Sequence, residues 1–190
     1  MKIKLRQILT EAIKIPKIVH VNNLMQKNYS YELTEPVGKN FDPRFKPELT
    51  PKQMLELGIF GGKYFNDVAN TNEYPKDWFQ NAKLSKNIGP GTKPDYNLNY
   101  FKVKASLPLK EWKQKGWITP EDPRGWVEWY FRYYQGRRIP KVDELQIKRW
   151  MNAKRHLVAA LSHESKTGNQ SLPRLQAMLH WVYDVTKHKR

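Results

Sequence analysis

Cysteine is absent from the 190 residues of this sequence. Its absence excludes disulfides, thiolate zinc sites and cysteine nucleophiles, and it is typical of a reducing compartment. The sequence also lacks any apolar run approaching 18 residues, and its first 14 residues alternate charged with apolar side chains where a signal peptide would be continuously apolar. We therefore expect an intracellular protein of the cytoplasm, the nucleus or a virion, which is not secreted and does not enter a membrane.

Acidic residues are scarce, because 18 Asp and Glu stand against 34 Lys and Arg, a net charge of +16. The excess is uneven, with a net charge of +5 in residues 1–100 and +11 in residues 101–190. Such an excess predicts a nucleic acid, DNA or RNA, as a partner that binds the C-terminal half. A basic surface also suits an anionic membrane or an acidic protein, so charge alone leaves the partner open.

Aromatic residues are abundant, with 7 Trp, 10 Tyr and 7 Phe, so the chain can bury a core although its mean hydropathy is −0.81. We predict a mainly α, single domain of about five or six helices with long ordered loops. Residues 1–49 are predicted to form an N-terminal amphipathic helix over residues 3–13 and an extended arm with a short strand at 18–21. Other protein subunits are a second candidate partner, through residues 1–49. Residues 50–190 are predicted to form the helical, basic core domain.

Capping residues and periodicity predict where the helices begin and end. Thr50 and Pro51 begin a helix that Gly58 ends. In the clearest element, Asp122 is predicted to cap a helix with Pro123 at its first position, and Gly136 ends it. Further helices are predicted over 74–84, 108–116, 141–163 and 171–187, and long loops over 58–72 and 85–107.

Eight aromatic residues fall between residues 112 and 134. Aromatic rings beside basic side chains often stack on the bases of single strands. Four of the eight recur at offsets of three and four, which is typical of a buried helical face: Trp126, Trp129, Tyr130 and Tyr133. Trp117 and Tyr134 lie nearer the edge of this pattern, so they are the better stacking candidates.

Basic residues concentrate in two consecutive helices and the turn between them. Converging cations neutralise phosphates and release counterions, and the Arg fork matches phosphate oxygens. The predicted nucleic-acid-binding residues are Arg124, Arg132, Arg137, Arg138, Lys141, Lys148, Arg149, Lys154 and Arg155, with Lys63 after a Gly-Gly turn and Trp117 as a stacking ring. We further predict that Arg137, Arg138, Arg149 and Arg155 form one anion-binding patch. The ordinary alternative is a set of solvated surface charges.

Catalytic groups are hard to find in this sequence. The candidates for acid or base chemistry are Asp67, Asp122 and Asp184, although Asp122 is also explained as a helix cap. Gly61-Gly62-Lys63 lacks the spacing of a phosphate-binding P-loop. The five histidines show no metal-binding spacing, so we predict neither a metal nor a cofactor.

The string Asp122-Pro-Arg-Gly-Trp126, followed by Trp129-Tyr-Phe-Arg-Tyr-Tyr-Gln-Gly-Arg-Arg138, resembles a motif of an uncharacterised family. These basic proteins, rich in Trp and Tyr, occur in fungi, protists and some phages or large viruses. Gly61-Gly62-Lys63-Tyr64 and Gln176-Ala-Met-Leu-His-Trp181 extend the resemblance to roughly residues 50–185. The family has no known activity, so the resemblance implies no particular reaction.

These patterns favour a nucleic-acid-binding accessory protein that recognises the phosphate backbone with little sequence specificity. One alternative is a nucleic-acid-processing enzyme, of nuclease or base-processing type, centred on the loop from Gly61 to Asp67. Another is a virion structural or assembly protein that uses the N-terminal arm. Convergence of the basic residues and that loop on one cleft would favour the enzyme, and an arm that lies away from the body would favour assembly.

Overall fold

The structure is a computed structural model that describes residues 15–89 and 92–188. Over these residues the chain forms a two-stranded antiparallel sheet of β1 (Lys17–Val21) and β2 (Tyr29–Leu33). It also forms five α-helices, namely α1 (Pro51–Leu57), α2 (Leu109–Gln114), α3 (Trp126–Gln135), α4 (Pro140–Thr167) and α5 (Leu172–His180). The prediction of a mainly α single domain is confirmed. The predicted amphipathic helix over residues 3–13 lies outside the described residues.

Helix α3 lies at the centre of the core, as its aromatic periodicity predicts. Every side chain from Trp126 to Tyr133 is buried, so this helix is enclosed on all sides and not only along one stripe. Phe45 packs edge-on against Trp129, with ring centroids 5.4 Å apart, and against Trp150 of α4 at 4.9 Å. The core is therefore a cluster of interlocking aromatic rings.

Helix α3 begins at Trp126, and the predicted start at Pro123 with Asp122 as the cap is wrong. Gly125 takes the cap position with φ 88° and ψ −153°, a region of backbone conformation that is almost restricted to glycine. The Asp122 carboxylate instead binds two arginine side chains. A capping bond would pair this carboxylate with a neutral N–H, whereas the two guanidinium groups supply opposite charge at both of its oxygens, so they decide where it lies.

Residues 17–49 pack against the helical body, which corrects the prediction of an extended arm. Strands β1 and β2 pair with Val19 opposite Tyr31, and Leu33 forms an antiparallel bridge with Arg137, directly after α3. Phe45 is buried within the main core. The contacts that order this segment are with residues far away in sequence, which is why no local periodicity reveals them.

The remaining elements agree with the sequence to different degrees. Helix α1 has a complete capping box, in which Thr50 and Gln53 each accept a hydrogen bond from the other's backbone N–H. The predicted helix over 74–84 is only a 3₁₀ turn at Lys76–Phe79, and the one over 171–187 ends at His180 before a 3₁₀ turn at Val185–His188.

Among the described residues, no helix combines the length and the apolar character needed to cross a membrane.

Candidate functional site

Three of the arginines that were predicted to bind nucleic acid are buried. Each guanidinium group has a carboxylate oxygen within 2.7 Å: Arg124 at Asp67, Arg132 at Glu73 and Arg137 at Asp122. A phosphate cannot reach side chains that are enclosed in this way. The structure therefore corrects the prediction for these three residues. Because Arg137 is one of them, it does not belong to the predicted anion-binding patch of four arginines.

These six residues and Glu128 form one buried ion network. Glu128 Oε1 lies 3.4 Å from Arg124 Nε and 3.3 Å from Arg132 Nη2. In the described chain the network holds four carboxylates and three guanidinium groups, so one acid is in excess. Burial raises the pKa of Glu128 to about 7, against the opposing effect of the nearby Arg132. A proton on Glu128 would balance the charges of the network.

The network also attaches the N-terminal segment to α3. Arg132 Nη2 donates to Gln26 Oε1 at 2.9 Å, and Arg124 Nη2 donates to Asn23 Oδ1 at 3.2 Å. The Tyr31 hydroxyl of β2 donates to Gln135 at 3.1 Å. Buried polar groups are stable when they are hydrogen-bonded, so the network serves as scaffold.

The other predicted cations differ in their surroundings. Arg138 is partly buried, lies 3.9 Å from the centroid of the Tyr133 ring, and donates to the carbonyl oxygens of Lys39 and Asn40. Lys148 pairs with Glu144 at 3.0 Å. Lys141 and Lys154 are exposed.

The Gly-Gly turn before Lys63 is not a phosphate cradle. Gly61 N–H donates to Asn99 Oδ1 at 2.7 Å, Gly62 N–H donates to the Ile59 carbonyl at 3.0 Å, and Lys63 Nζ donates to the Thr92 carbonyl. Both glycines are buried. The donors that an anion would need are already used, which corrects the prediction for Lys63.

The three catalytic candidates do not share a cavity. Asp67 and Asp122 belong to the buried ion network, and Asp184 accepts from Thr186 and pairs with Lys187 at 3.2 Å. Within the described part of the chain, no group of three or more His, Asp or Glu side chains could hold a metal ion.

A pocket of about 430 Å³ opens between α2, the start of α3, the middle of α4 and α5. Its volume falls in the range of small-molecule sites, roughly 300–1,000 Å³. Aromatic rings form much of its lining: Phe60, Tyr64, Trp112, Trp117, Trp126 and Trp181. No Asp or Glu of the described residues lines it. We call this cavity the aromatic pocket.

A continuous ring stack lies within the lining of the aromatic pocket. Ring centroids are 4.5 Å apart for Tyr64 and Phe60 and 3.9 Å apart for Phe60 and His180, with interplanar angles of 22° and 21°. Trp112 meets Phe60 edge-on at 5.8 Å. These contacts hold the rings in fixed orientations before any ligand arrives.

Two of the five described non-glycine residues with positive φ lie at or beside this pocket. Phe60 has φ 49° and Val182, which follows the lining residue Trp181, has φ 58°. Positive φ is rare for a bulky or β-branched residue and costs roughly 1–3 kcal/mol. Such strain persists where surrounding packing enforces it, and it is concentrated at functional sites, so it supports the aromatic pocket as the candidate site.

His180 is a neutral side chain in the pocket lining. Burial lowers its pKa to about 3. Its Nε2 lies 3.4 Å from the Phe60 backbone N and 3.2 Å from Gln176 Nε2. The Gln176 amide is oriented by its bonds to Gly58 and Phe101, so both neighbours donate and Nε2 accepts. This assignment places the ring proton on Nδ1.

Three cations without a carboxylate partner among the described residues surround the pocket. Arg149 donates to the carbonyl oxygens of Trp117 at 2.8 Å and Gly116 at 3.1 Å. Lys115 Nζ lies 5.6 Å from the centroid of the Trp117 ring, and Arg155 is exposed and lines the pocket. Trp117 itself is 45% exposed.

The aromatic pocket thus brings together three of the predicted binding residues, Trp117, Arg149 and Arg155. The sequence did not reveal Phe60, Trp112 or His180 as site residues, because each resembles an ordinary core residue when it is considered alone. No family model, curated protein or solved structure matches this chain. The function is therefore inferred from the shape, the rings and the charges of the pocket.

Proposed function

We propose that the protein is a nucleic-acid-binding accessory protein, which contacts the phosphate backbone with little sequence specificity. The observation that carries this proposal is the set of three unpaired cations, Lys115, Arg149 and Arg155, around an aromatic pocket whose described lining has no carboxylate. Positive charge that is not neutralised internally is what a polyanion requires.

The charge of the neighbouring segments supports the same face. Residues 102–115 contain five lysines and one acid, Glu111, and residues 145–163 contain four basic residues and no acid. By contrast, four carboxylates are held in the buried ion network. Because these four carboxylates form buried ion pairs, they do not neutralise the basic residues near the pocket.

Low sequence specificity follows from the kind of donor that this surface offers. Lysine and arginine contacts to phosphates position a protein on nucleic acid but carry no sequence information by themselves. Lys115 and Arg155 are exposed, flexible side chains of this kind.

The alternatives have less support. A processing enzyme would be favoured by the basic residues and the Gly61–Asp67 loop meeting at one cleft, and Tyr64 of that loop lines the pocket with Arg149 and Arg155. The lining also contains His156 and His180, but the predicted acids Asp67 and Asp122 are engaged in buried ion pairs away from it. Virion assembly through the arm would be favoured by an arm that stands free, whereas the described residues 17–49 pack on the body.

The proposal is tested by charge reversal with a matched control. Lys115→Glu with Arg155→Glu reverses Arg155 in the pocket lining and Lys115 beside the lining residue Trp117. Lys27→Glu with Lys86→Glu reverses two exposed cations that neither line the pocket nor contact the Trp117 ring. Because both pairs change the net charge equally, any difference in affinity between them depends on where the reversed charges lie. We expect the first pair to weaken binding of a labelled single-stranded 20-mer at least tenfold more than the second.

Salt dependence provides a second reading of the same experiment. Loss of each phosphate contact should lower the slope of log affinity against log salt by about 0.7 for a single strand. Equal losses for the two pairs, or an unchanged slope, would contradict a local binding face. No binding by the unmodified protein at low salt would refute the proposal.

A further inference from the structure

The aromatic pocket has the chemistry of a site for one flat ring. Rings of Tyr64, Phe60 and His180 stack in its lining, and Trp117 stands partly exposed beside them. Aromatic faces and edges bind a planar partner by stacking or edge contacts. Gly125 also lies in the lining, with φ 88° and ψ −153°, a backbone conformation almost restricted to glycine.

Polar groups in the lining fit a ring that carries acceptors. The ring of His180, which lines the pocket, carries its proton on Nδ1, because Nε2 accepts from the Phe60 N–H and from Gln176. Asn152, which is exposed and also lines the pocket, offers both a donor and an acceptor. Few polar groups within a largely apolar wall are typical of a site that orients a small planar ligand.

The charges around the pocket select among planar ligands. An aromatic cage can hold a quaternary ammonium group, but Arg149, Arg155 and Lys115 would repel a cation at this position. The same three groups favour an aromatic ring that is attached to negatively charged phosphates. A nucleotide combines both properties.

From these observations, and resting on the proposed function, we infer that the aromatic pocket receives one unstacked nucleobase while the cations around it hold the adjacent phosphates. A base in a duplex is paired and stacked on both faces, so it cannot enter a cavity of this kind. The ligand is therefore a single-stranded segment or end, and binding involves stacking in addition to backbone contact.

The decisive comparison uses two oligomers of equal charge. One is a single-stranded oligothymidylate of eight nucleotides, and the other is an eight-residue abasic oligomer with the same sugar-phosphate backbone. We expect the base-containing oligomer to bind about tenfold or more tightly and to quench tryptophan fluorescence, because Trp117 and Trp112 line the pocket. A duplex of eight base pairs should bind more weakly than the single strand.

A pocket-filling variant tests whether the tighter binding of the base-containing oligomer arises at this cavity. Ala177 lines the pocket and is partly buried, so Ala177→Phe fills space without changing charge. Ala159 is exposed on α4 outside the lining, and Ala159→Phe is the matched control. Ala177→Phe should reduce binding of the oligothymidylate to that of the abasic oligomer, and the control should not. Circular dichroism and melting identify a variant that fails to fold, in which case Trp117→Ala serves the same purpose.

The possible outcomes separate the two proposals. Equal affinity for the two oligomers would overturn base capture while nucleic-acid binding stands, and so would equal affinity for duplex and single strand. Binding of neither oligomer would overturn both proposals. If an acidic peptide that contains tyrosine, matched in charge, competes as strongly as the oligothymidylate, the pocket accepts an aromatic side chain and the inference is wrong.

Discussion

Arg132 of α3 and Glu73, which are 59 positions apart in sequence, form an ion pair of 2.6 Å in which the side chains are 0% and 1% exposed. Arg132 also contacts Asp122 at 3.2 Å and Glu128 at 3.3 Å. A single guanidinium group thus contacts carboxylates from three parts of the chain.

We predict that Arg132→Met lowers the free energy of unfolding by about 3–5 kcal/mol, because it leaves buried carboxylates without their cation. Arg44→Met is the matched control, since Arg44 also contacts two carboxylates but its side chain is 44% exposed, and it should cost much less stability than Arg132→Met because solvent screens its ion pairs. Chemical denaturation measures both values. Similar losses of unfolding free energy for the two variants would show that burial does not determine how much these ion pairs stabilise the fold.

Trp129→Ala should destabilise the fold by about 3–5 kcal/mol, because a fully buried ring is lost and a cavity remains. The variant also removes the hydrogen bond from Trp129 Nε1 to Asp143 at 2.8 Å. Trp117→Ala, at a residue that is 45% exposed, should destabilise the fold much less than Trp129→Ala. Thermal melting separates the two, and a stable Trp129→Ala protein would contradict the placement of this ring in the core.

Gly125→Ala should cost more stability than Gly116→Ala, although both glycines have positive φ. A Cβ on Gly125 meets Ile118 and Trp112, whereas a Cβ on Gly116 has no heavy atom within 4 Å. Gly116→Ala therefore incurs only the left-handed backbone strain, about 1–2 kcal/mol. If the two melting temperatures fall equally, the packing around Gly125 is looser than described.

Glu128→Gln should change how stability depends on pH. Because the pKa of Glu128 is raised from 4.5 to about 7 in the folded protein, its contribution is fully present below pH 4.5 and is lost as the pH rises through 7. The variant does not titrate, so its stability relative to the parent should rise with pH across this window by at most about 1.4 kcal/mol per pH unit. Denaturation at several pH values measures the difference, and parallel curves would refute it.

Local features of the sequence determined the elements that depend on near neighbours. The aromatic repeat of α3 identified a buried helix, the Thr50 and Pro51 pair identified the start of α1, and Gly136 identified the end of α3. Periodicity and capping act over three or four residues, so a single sequence contains them completely. The net charge likewise followed directly from composition.

Only the tertiary structure decided which cations are free and where the aromatic pocket lies. Arg132 and Arg155 are the same residue type in neighbouring helices, yet one is buried among carboxylates and the other is exposed beside the pocket. Glu73, Phe60 and His180 reach their partners from segments far apart in the chain. The energy of burial and of ion pairing depends on these distant partners, which local propensity does not encode, and so the site emerged only when the chain was folded.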